Sequence, residues 1–476
     1  MIPMSLSEIA DAVGGRVHAP AADEAVHAAQ VTGPPFLDSR APEPGGLFVA
    51  VPGEHVDGHD FAAAAVDAGA AAVLASRPVD APAVLVEDSV AALGRLVPHV
   101  LLRLPRLTVV GITGSQGKTG TKDLLAQLLE ASGPTIAPVG SFNNEIGLPL
   151  TALRADEGTD SLVLEMGARG IGHIRHLADM VHPTIAVVLN VGVAHLGEFG
   201  TRTDIAQAKG ELVEALPDDG VAVLNADDPL VMGMAARTRA RVVTFGTSAD
   251  AHVRVSDVAL DEQGRPRFTL TTPDGSADVA LPLAGEHQAM NAAAAAAVAH
   301  LRGTGVERIA GLLDRVVPRS RWRMEISDRD DGVTVINDAY NANPDSMRAA
   351  LKTLAAIGGG HRRTVAVLGE MLELGDSSRD EHDAIGRLVV RLDVSRLVVV
   401  GEGAKPIHLA ACLEGSWGEE SVFVPDIDAA LQFLARDLAS GDVVLVKASR
   451  AAGLERVAAA MLDQPASGAA GAGSRR

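Results

Sequence analysis

The stretch Thr108-Val-Val-Gly-Ile-Thr-Gly-Ser-Gln-Gly-Lys-Thr119 runs an apolar segment straight into a turn of small residues that closes on a lysine and a threonine. Small side chains at Gly114, Ser115 and Gly117 let backbone N–H groups, with those of Gln116 and Gly120, curl around a phosphate at the positive end of a helix. The helix follows as an amphipathic pattern through about Leu129. Lys118 would reach the terminal phosphates, and the Thr119 hydroxyl would hold a magnesium ion. The strict spacing G-x-x-x-x-G-K-[ST] is missed, because Ile112 stands five residues before Gly117. A tight strand-to-helix connection with no ligand is the structural alternative. Strand, turn and helix in this order predict binding of a nucleoside triphosphate.

Three later residues fall where a second half of phosphate chemistry belongs. Glu165 ends the strand-like run Leu162-Val-Leu-Glu-Met-Gly167, and His195 follows the next strand in Asn190-Val-Gly-Val-Ala-His195. Lys209 lies in the following helix, in Ala206-Gln-Ala-Lys-Gly-Glu211. Each has a structural reading too: Glu165 as a helix cap, His195 as a hydrogen-bonded loop residue, Lys209 as a solvated helix residue. Their shared location past consecutive strand ends is where open α/β sheets place ligands.

The elements that must position these residues form an alternating series. The chain of 476 residues suffices for about three domains. The first hundred residues read as a small mixed α/β unit, with strands at 47–51 and 83–86 and helices at 60–68 and 90–104. Next, strands at 108–113, 161–166, 184–191, 221–225 and 242–245 alternate with helical patterns, which implies a mostly parallel sheet covered on both faces. Between Val253 and Leu283 the period changes to two, with turn signals at Asp261-Glu-Gln-Gly264 and Pro273-Asp-Gly275, an antiparallel β excursion. An alanine-rich helix, Gln288 to Leu301, closes the unit. Beyond Pro318, strands at 333–337, 364–368, 397–400, 421–424 and 443–447 alternate with helices as a Rossmann-like, doubly wound domain. The expected fold is therefore α/β in three domains, 1–104, 105–317 and 318–462, with a Gly- and Ala-rich tail over 463–476 that cannot bury enough surface to order itself.

Composition narrows the class. Lys+Arg 41 against Asp+Glu 61 gives −20, which argues against nucleic acid or an anionic membrane as partner. The single cysteine, Cys412, excludes an internal disulfide and a cysteine zinc cluster, and is expected as a small buried hydrophobe. The start Met-Ile-Pro-Met-Ser-Leu-Ser-Glu lacks a basic then apolar leader, and no run reaches the ~20 apolar residues of a membrane helix. A cytoplasmic, monomeric protein without membrane insertion is expected.

With these residues together, the chain resembles the Mur ligase family, ATP-dependent amide ligases that build the peptide stem of peptidoglycan. The resemblance runs from Asp38-Ser-Arg40 to Lys447-Ala-Ser-Arg450. The family's loop reads T-G-x-x-G-K-[ST], which is Thr113 to Thr119, so the absent glycine at 112 fits it. The resemblance assigns magnesium to Thr119, Glu165, His195 and Lys209, with two ions and a carbamylated Lys209. It assigns Asn291 (in Gly285-Glu-His-Gln-Ala-Met-Asn291) to adenine, Arg323 to the γ-phosphate, and Asp338 to the nucleoside. Lys118, His195, Lys209 and Arg323 form its catalytic set. Asp38, Ser39 and Arg40 resemble the uridine-diphosphate segment, and Asn143 and Asn144 would position the sugar nucleotide. Gln288 stands where asparagine is common, and Ala448 where glycine is common after Lys447.

Asn337-Asp-Ala-Tyr-Asn-Ala-Asn-Pro-Asp-Ser-Met347, Leu368-Gly-Glu-Met-Leu-Glu-Leu-Gly375 and Phe142-Asn-Asn-Glu-Ile-Gly-Leu-Pro149 resemble the branch that adds D-alanyl-D-alanine. The Asp-Asn-Pro-Arg tetrapeptide of diamino-acid-adding relatives is absent. The implied partners are UDP-N-acetylmuramoyl-tripeptide and D-alanyl-D-alanine, joined at the cost of ATP through an acyl phosphate. The alternatives are a diamino-acid-adding ligase, a folylpolyglutamate or cyanophycin type ligase, a small-molecule kinase, and a non-catalytic nucleotide switch.

Overall fold

The computed structural model describes residues 1–20, 24–53, 56–192, 199–415 and 420–463. Among them, a nine-stranded sheet forms the centre, in the order 275–280, 266–272, 253–260, 241–246, 221–225, 185–188, 108–113, 161–165, 135–136. The strands from Thr135–Ile136 across to Val253–Leu260 pair parallel. Only Pro266–Thr272 and Gly275–Ala280 pair antiparallel. The period-two region is therefore an extension of the same sheet whose first strand keeps the parallel direction. Val109, Leu162, Leu164, Ala186 and Leu224 face one apolar layer, and Val110, Ile112, Val163, Val187 and Val223 the other. This alternation is why each strand reads as a continuous apolar run: both faces are covered.

The second of these layers is closed by the helices Lys118–Glu130 and His287–Leu301. Ala292 to Ala297 are all buried, and their small side chains let the second helix lie close against the first. On the other face, Leu93, Leu96, Val97 and Val100 of the helix Ser89–Leu101 join Leu148, Ile174 and Leu177 in one cluster, so the N-terminal unit and the central sheet share a core. The N-terminal unit has a four-stranded sheet, ordered 16–18, 83–85, 72–75, 47–49. It opens with the helix Leu6–Val13, whose Ser5 and Glu8 form a capping box and whose end is Gly14 at φ 66.

The C-terminal unit is a six-stranded sheet in the order 325–328, 334–337, 443–447, 364–368, 396–400, 421–424, parallel except for its first strand. Its strands also alternate between two apolar layers, the mark of a doubly wound sheet. The three-part α/β architecture read from the sequence is the one observed. The described residues contain no helix long and apolar enough to cross a membrane. Cys412, expected inside, is exposed: the helix Lys405–Glu414 buries Ile407, Ala410 and Ala411 and turns the cysteine outward.

Candidate functional site

The phosphate turn is built by backbone constraint before any ligand enters. Gly117 has φ 83, and a Cβ there would stand 2.5 Å from Asn291 Oδ1. Only glycine meets both demands. Asn190 clamps the turn from the neighbouring strand end: its Oδ1 accepts from the N–H groups of Ser115 and Gln116, each at 3.0 Å, and its Nδ2 donates to Gln116 O at 3.2 Å. Ser115 Oγ accepts from Gly192 N at 2.9 Å. The helix begins at Lys118, so the amides of its first turn lack intrahelical partners and point at the cleft. Lys118 Nζ folds back to Gly114 O at 2.6 Å.

Behind the turn lie the groups expected to handle charge. Glu165 is fully buried; its Oε2 accepts from Ser141 Oγ at 3.0 Å, while Oε1 has no partner. A buried carboxylate oxygen without a donor is costly unless a cation completes it. Ser141 Oγ also accepts from Asn143 Nδ2 at 3.1 Å, and Asn143 O accepts from Gly167 N at 2.9 Å. Asn144 Oδ1 accepts from Gly147 N at 2.9 Å at the start of the next helix. Lys209 sits buried in the helix Arg202–Glu214, which starts with a Thr201–Asp204 capping box. Burial, and then the Lys118 charge, push its amine well below the usual lysine range. Burial lowers Lys118 to about 8, with Glu165 opposing and Arg323 reinforcing the shift. His195 lies outside the described residues.

The C-terminal unit supplies the opposite wall. Lys447 Nζ donates to Asp338 Oδ2 at 2.6 Å and to Asn341 O at 2.9 Å. The Arg323 guanidinium lies 4.2 Å above the Tyr340 ring, and that of Arg450 4.2 Å above the Trp322 ring. His287 is held below its usual value by burial, with Asp338 opposing and Lys447 adding to the shift. Between the walls is a cleft of about 780 Å³. It brings together Ser115, Gln116, Gly117, Lys118, Thr119, Gly120, Asn143, Asn144, Asn291, Arg323 and Asp338.

Other expected residues are placed elsewhere. Gly114, Glu165 and Lys209 do not line the cleft, though Glu165 and Lys209 interact electrostatically with Lys118 behind it. Asp38, Ser39 and Arg40 are not part of it; Arg40 folds onto Asp38 at 2.9 Å and both are exposed. Asn291 packs on the phosphate turn, with Nδ2 donating to Gln288 Oε1 at 3.0 Å and Oδ1 accepting from Thr121 Oγ1 at 3.3 Å. The departure at Gln288 thus orients Asn291. Asn190 and Ser141 carry structure at the site that sequence reading missed; their positions at strand and loop ends were visible, their partners were not.

Comparison with known proteins gives the site its family. Residues 36–100 match the model "Mur ligase family, catalytic domain", 112–299 "Mur ligase middle domain", and 322–450 "Mur ligase, glutamate ligase domain". A UDP-N-acetylmuramoyl-tripeptide--D-alanyl-D-alanine ligase of Mycobacterium tuberculosis is 51% identical over 97% of this chain and 98% of its own. The chain belongs to the Mur ligase family. Among solved Mur ligases, MurF from Acinetobacter baumannii superposes with a TM-score of 0.85 at 31% identity, over 97% of this chain and 99% of that one. MurF from Thermotoga maritima in complex with ADP gives 0.76 at 32% identity, over 90% and 96%.

Proposed function

We propose that this Mur ligase joins D-alanyl-D-alanine to UDP-N-acetylmuramoyl-tripeptide, with ATP converted to ADP and phosphate. The observation that carries the reading is the cleft that faces the phosphate turn with Arg323, Asp338 and Lys447 of the C-terminal unit. The 51% identity to the mycobacterial D-alanyl-D-alanine ligase over almost the whole chain supports the choice of acceptor. In the reaction, the tripeptide's terminal carboxylate attacks the γ-phosphorus, ADP leaves, and an acyl phosphate forms. The dipeptide's amine, having lost a proton, attacks the acyl carbon; the tetrahedral intermediate collapses and expels phosphate.

Two anions, carboxylate and γ-phosphate, must first meet, so neutralisation and alignment are the main tasks. Lys118, released from Gly114 O, and Arg323 supply positive charge, and the first-turn amides of the helix Lys118–Glu130 hold phosphate oxygens. Asn291 fixes the turn and reaches adenine, Asp338 orients the nucleoside, and Asn143 and Asn144 seat the sugar nucleotide, whose uridine end meets Asp38, Ser39 and Arg40. The unpartnered Glu165 Oε1 and the Thr119 hydroxyl fit a magnesium ion, which supplies charge neutralisation when bound. Among the described residues no three His, Cys, Asp or Glu side chains converge, and phosphate oxygens of ATP would supply further ligands to such an ion. A second ion is assigned to His195 and Lys209. Burial, which disfavours the charged Lys209 amine, suits its carbamylation by carbon dioxide, which would turn it into an oxygen ligand. The enzyme is assigned to the cytoplasm as a monomer.

The test is ADP release on the UDP-tripeptide with a panel of amines. Release with D-alanyl-D-alanine and little with meso-diaminopimelate, lysine or glutamate is expected. Release with a diamino acid or glutamate contradicts the acceptor. A stable phosphorylated product without amine consumption makes the protein a kinase.

A further inference from the structure

Arg323 is presented by an unusual piece of backbone. Trp322 and Met324, on either side of it, both have left-handed φ values, 58 and 49, which bulky side chains rarely adopt. The conformation is held from several sides: Met324 N donates to Asp338 Oδ1 at 3.0 Å, Trp322 N to Glu325 Oε2 at 3.0 Å, and Tyr340 N to Trp322 O at 3.1 Å. The Arg450 guanidinium covers the Trp322 ring. The result places the Arg323 guanidinium over the Tyr340 ring, with Nε buried and without a hydrogen-bond partner. Both residues line the cleft opposite the phosphate turn.

A guanidinium with an unpartnered Nε beside Lys118 is repelled from it and carries several free rotors. Left alone it would swing to solvent, and each turnover would have to recover it. The face of an aromatic ring holds a cation without neutralising it. A carboxylate in the same place would hold Arg323 more tightly and cancel the charge that the γ-phosphate requires. We propose that Tyr340 is a positioning residue: its ring keeps the Arg323 guanidinium at full charge and in place for the γ-phosphate, a role that rests on the ligase reading above. The ring face does this; the hydroxyl is not required.

The full-length protein tests this through the arginine Nε–H resonance that vanishes in Arg323→Lys. Ring current should displace that resonance in the free protein, the displacement should survive in Tyr340→Phe, and Tyr340→Leu should abolish it. In turnover, Tyr340→Leu should lower kcat about tenfold. The KM for D-alanyl-D-alanine should stay unchanged, and Tyr340→Phe should restore most of the rate. In an Arg323→Lys background, Tyr340→Leu should add little, which a merely structural ring would not explain. An undisplaced resonance, or equal rates for the Leu and Phe variants of a ligating enzyme, overturns the role of Tyr340. A displaced resonance in a wild-type protein that shows no ATP-dependent ligation overturns the ligase reading, and the positioning role in ligation with it.

Discussion

Gly117 and Gly140 share a φ of 83 but differ in surroundings: a Cβ at Gly117 meets Asn291, whereas nothing lies within 4 Å at Gly140. Backbone strain of about 1–2 kcal/mol applies to alanine at either position. Displacement of Asn291 from the phosphate turn applies only at 117. Gly117→Ala is therefore expected to weaken ATP binding by about tenfold or more, and Gly140→Ala only slightly, measured by calorimetry. Similar losses in the two variants would remove the Asn291 contact from the explanation. Lys209→Ala should abolish turnover, with partial recovery in millimolar acetate or formate, because a small carboxylate can stand where the carbamate would. Full activity of Lys209→Ala would exclude the carbamate. Lys118, Thr119 and Gly117 were legible because their spacing is local and their chemistry is carried by the turn itself. Asn190 was not, since its partners lie 75 and 74 residues away and nothing in its neighbours marks it as a clamp.

At the scale of elements, the loop after the strand Thr364–Leu368 shows how a wall of the cleft is held. His382 is fully buried; its Nε2 accepts from Met371 N at 2.9 Å and its Nδ1 donates to Ser378 O at 2.6 Å. Leu372 and Glu373, next in that loop, line the cleft. The neutral ring is required, because a protonated Nε2 cannot accept. Burial lowers the His382 pKa from its usual 6.5, the Ser378 carbonyl opposing. The unfolded chain then binds the proton first. The stabilisation is fully present above 6.5 and is lost as pH falls through the lower folded value. Tm should thus drop on acidification below 6.5, and the drop should be shallower in His382→Gln. Parallel Tm curves for the two proteins would contradict it. Strands such as Val443–Lys447 were legible because both faces are covered and the run Val443 to Val446 is wholly apolar before Lys447 at its end. Ala72–Ala75 was missed because alanines favour helix in isolation, and only pairing with Leu47–Val49 and Ala83–Leu85 makes it a strand. Glu325–Asp328 was missed because a four-residue edge strand with Ile326 as its one apolar residue carries no apolar period.

For the whole molecule, the segment leading from the central to the C-terminal unit is tied back onto the central unit, and the β extension touches the C-terminal unit. Val317 N donates to Gln127 Oε1 at 2.9 Å, Arg319 grips Glu130 with both Nη atoms at 2.6 and 2.5 Å, and Gly264 of the β extension packs against Ile357. These links are mostly exposed, whereas the N-terminal unit shares a continuous core with the central sheet. An acyl phosphate must be shielded from water, and closure of the C-terminal unit over the cleft would do so. Small-angle scattering should show the protein with ATP analogue and UDP-tripeptide to be more compact than the free protein. Identical profiles would mean that shielding arises without domain closure. The three-unit plan was legible from the alternation of strand and helix. The shared core was not, because helix faces do not state which sheet they cover.

The ligation chemistry can be followed through the oxygens of the tripeptide. With oxygen-18 in both oxygens of its terminal carboxylate, the attacking oxygen stays with phosphorus when the amine displaces phosphate. The released phosphate should carry one labelled oxygen and the new amide should keep the other, with D-alanyl-D-alanine required for both. Unlabelled phosphate, or release that does not depend on the dipeptide, would show that the carboxylate and the γ-phosphate are not joined in this cleft.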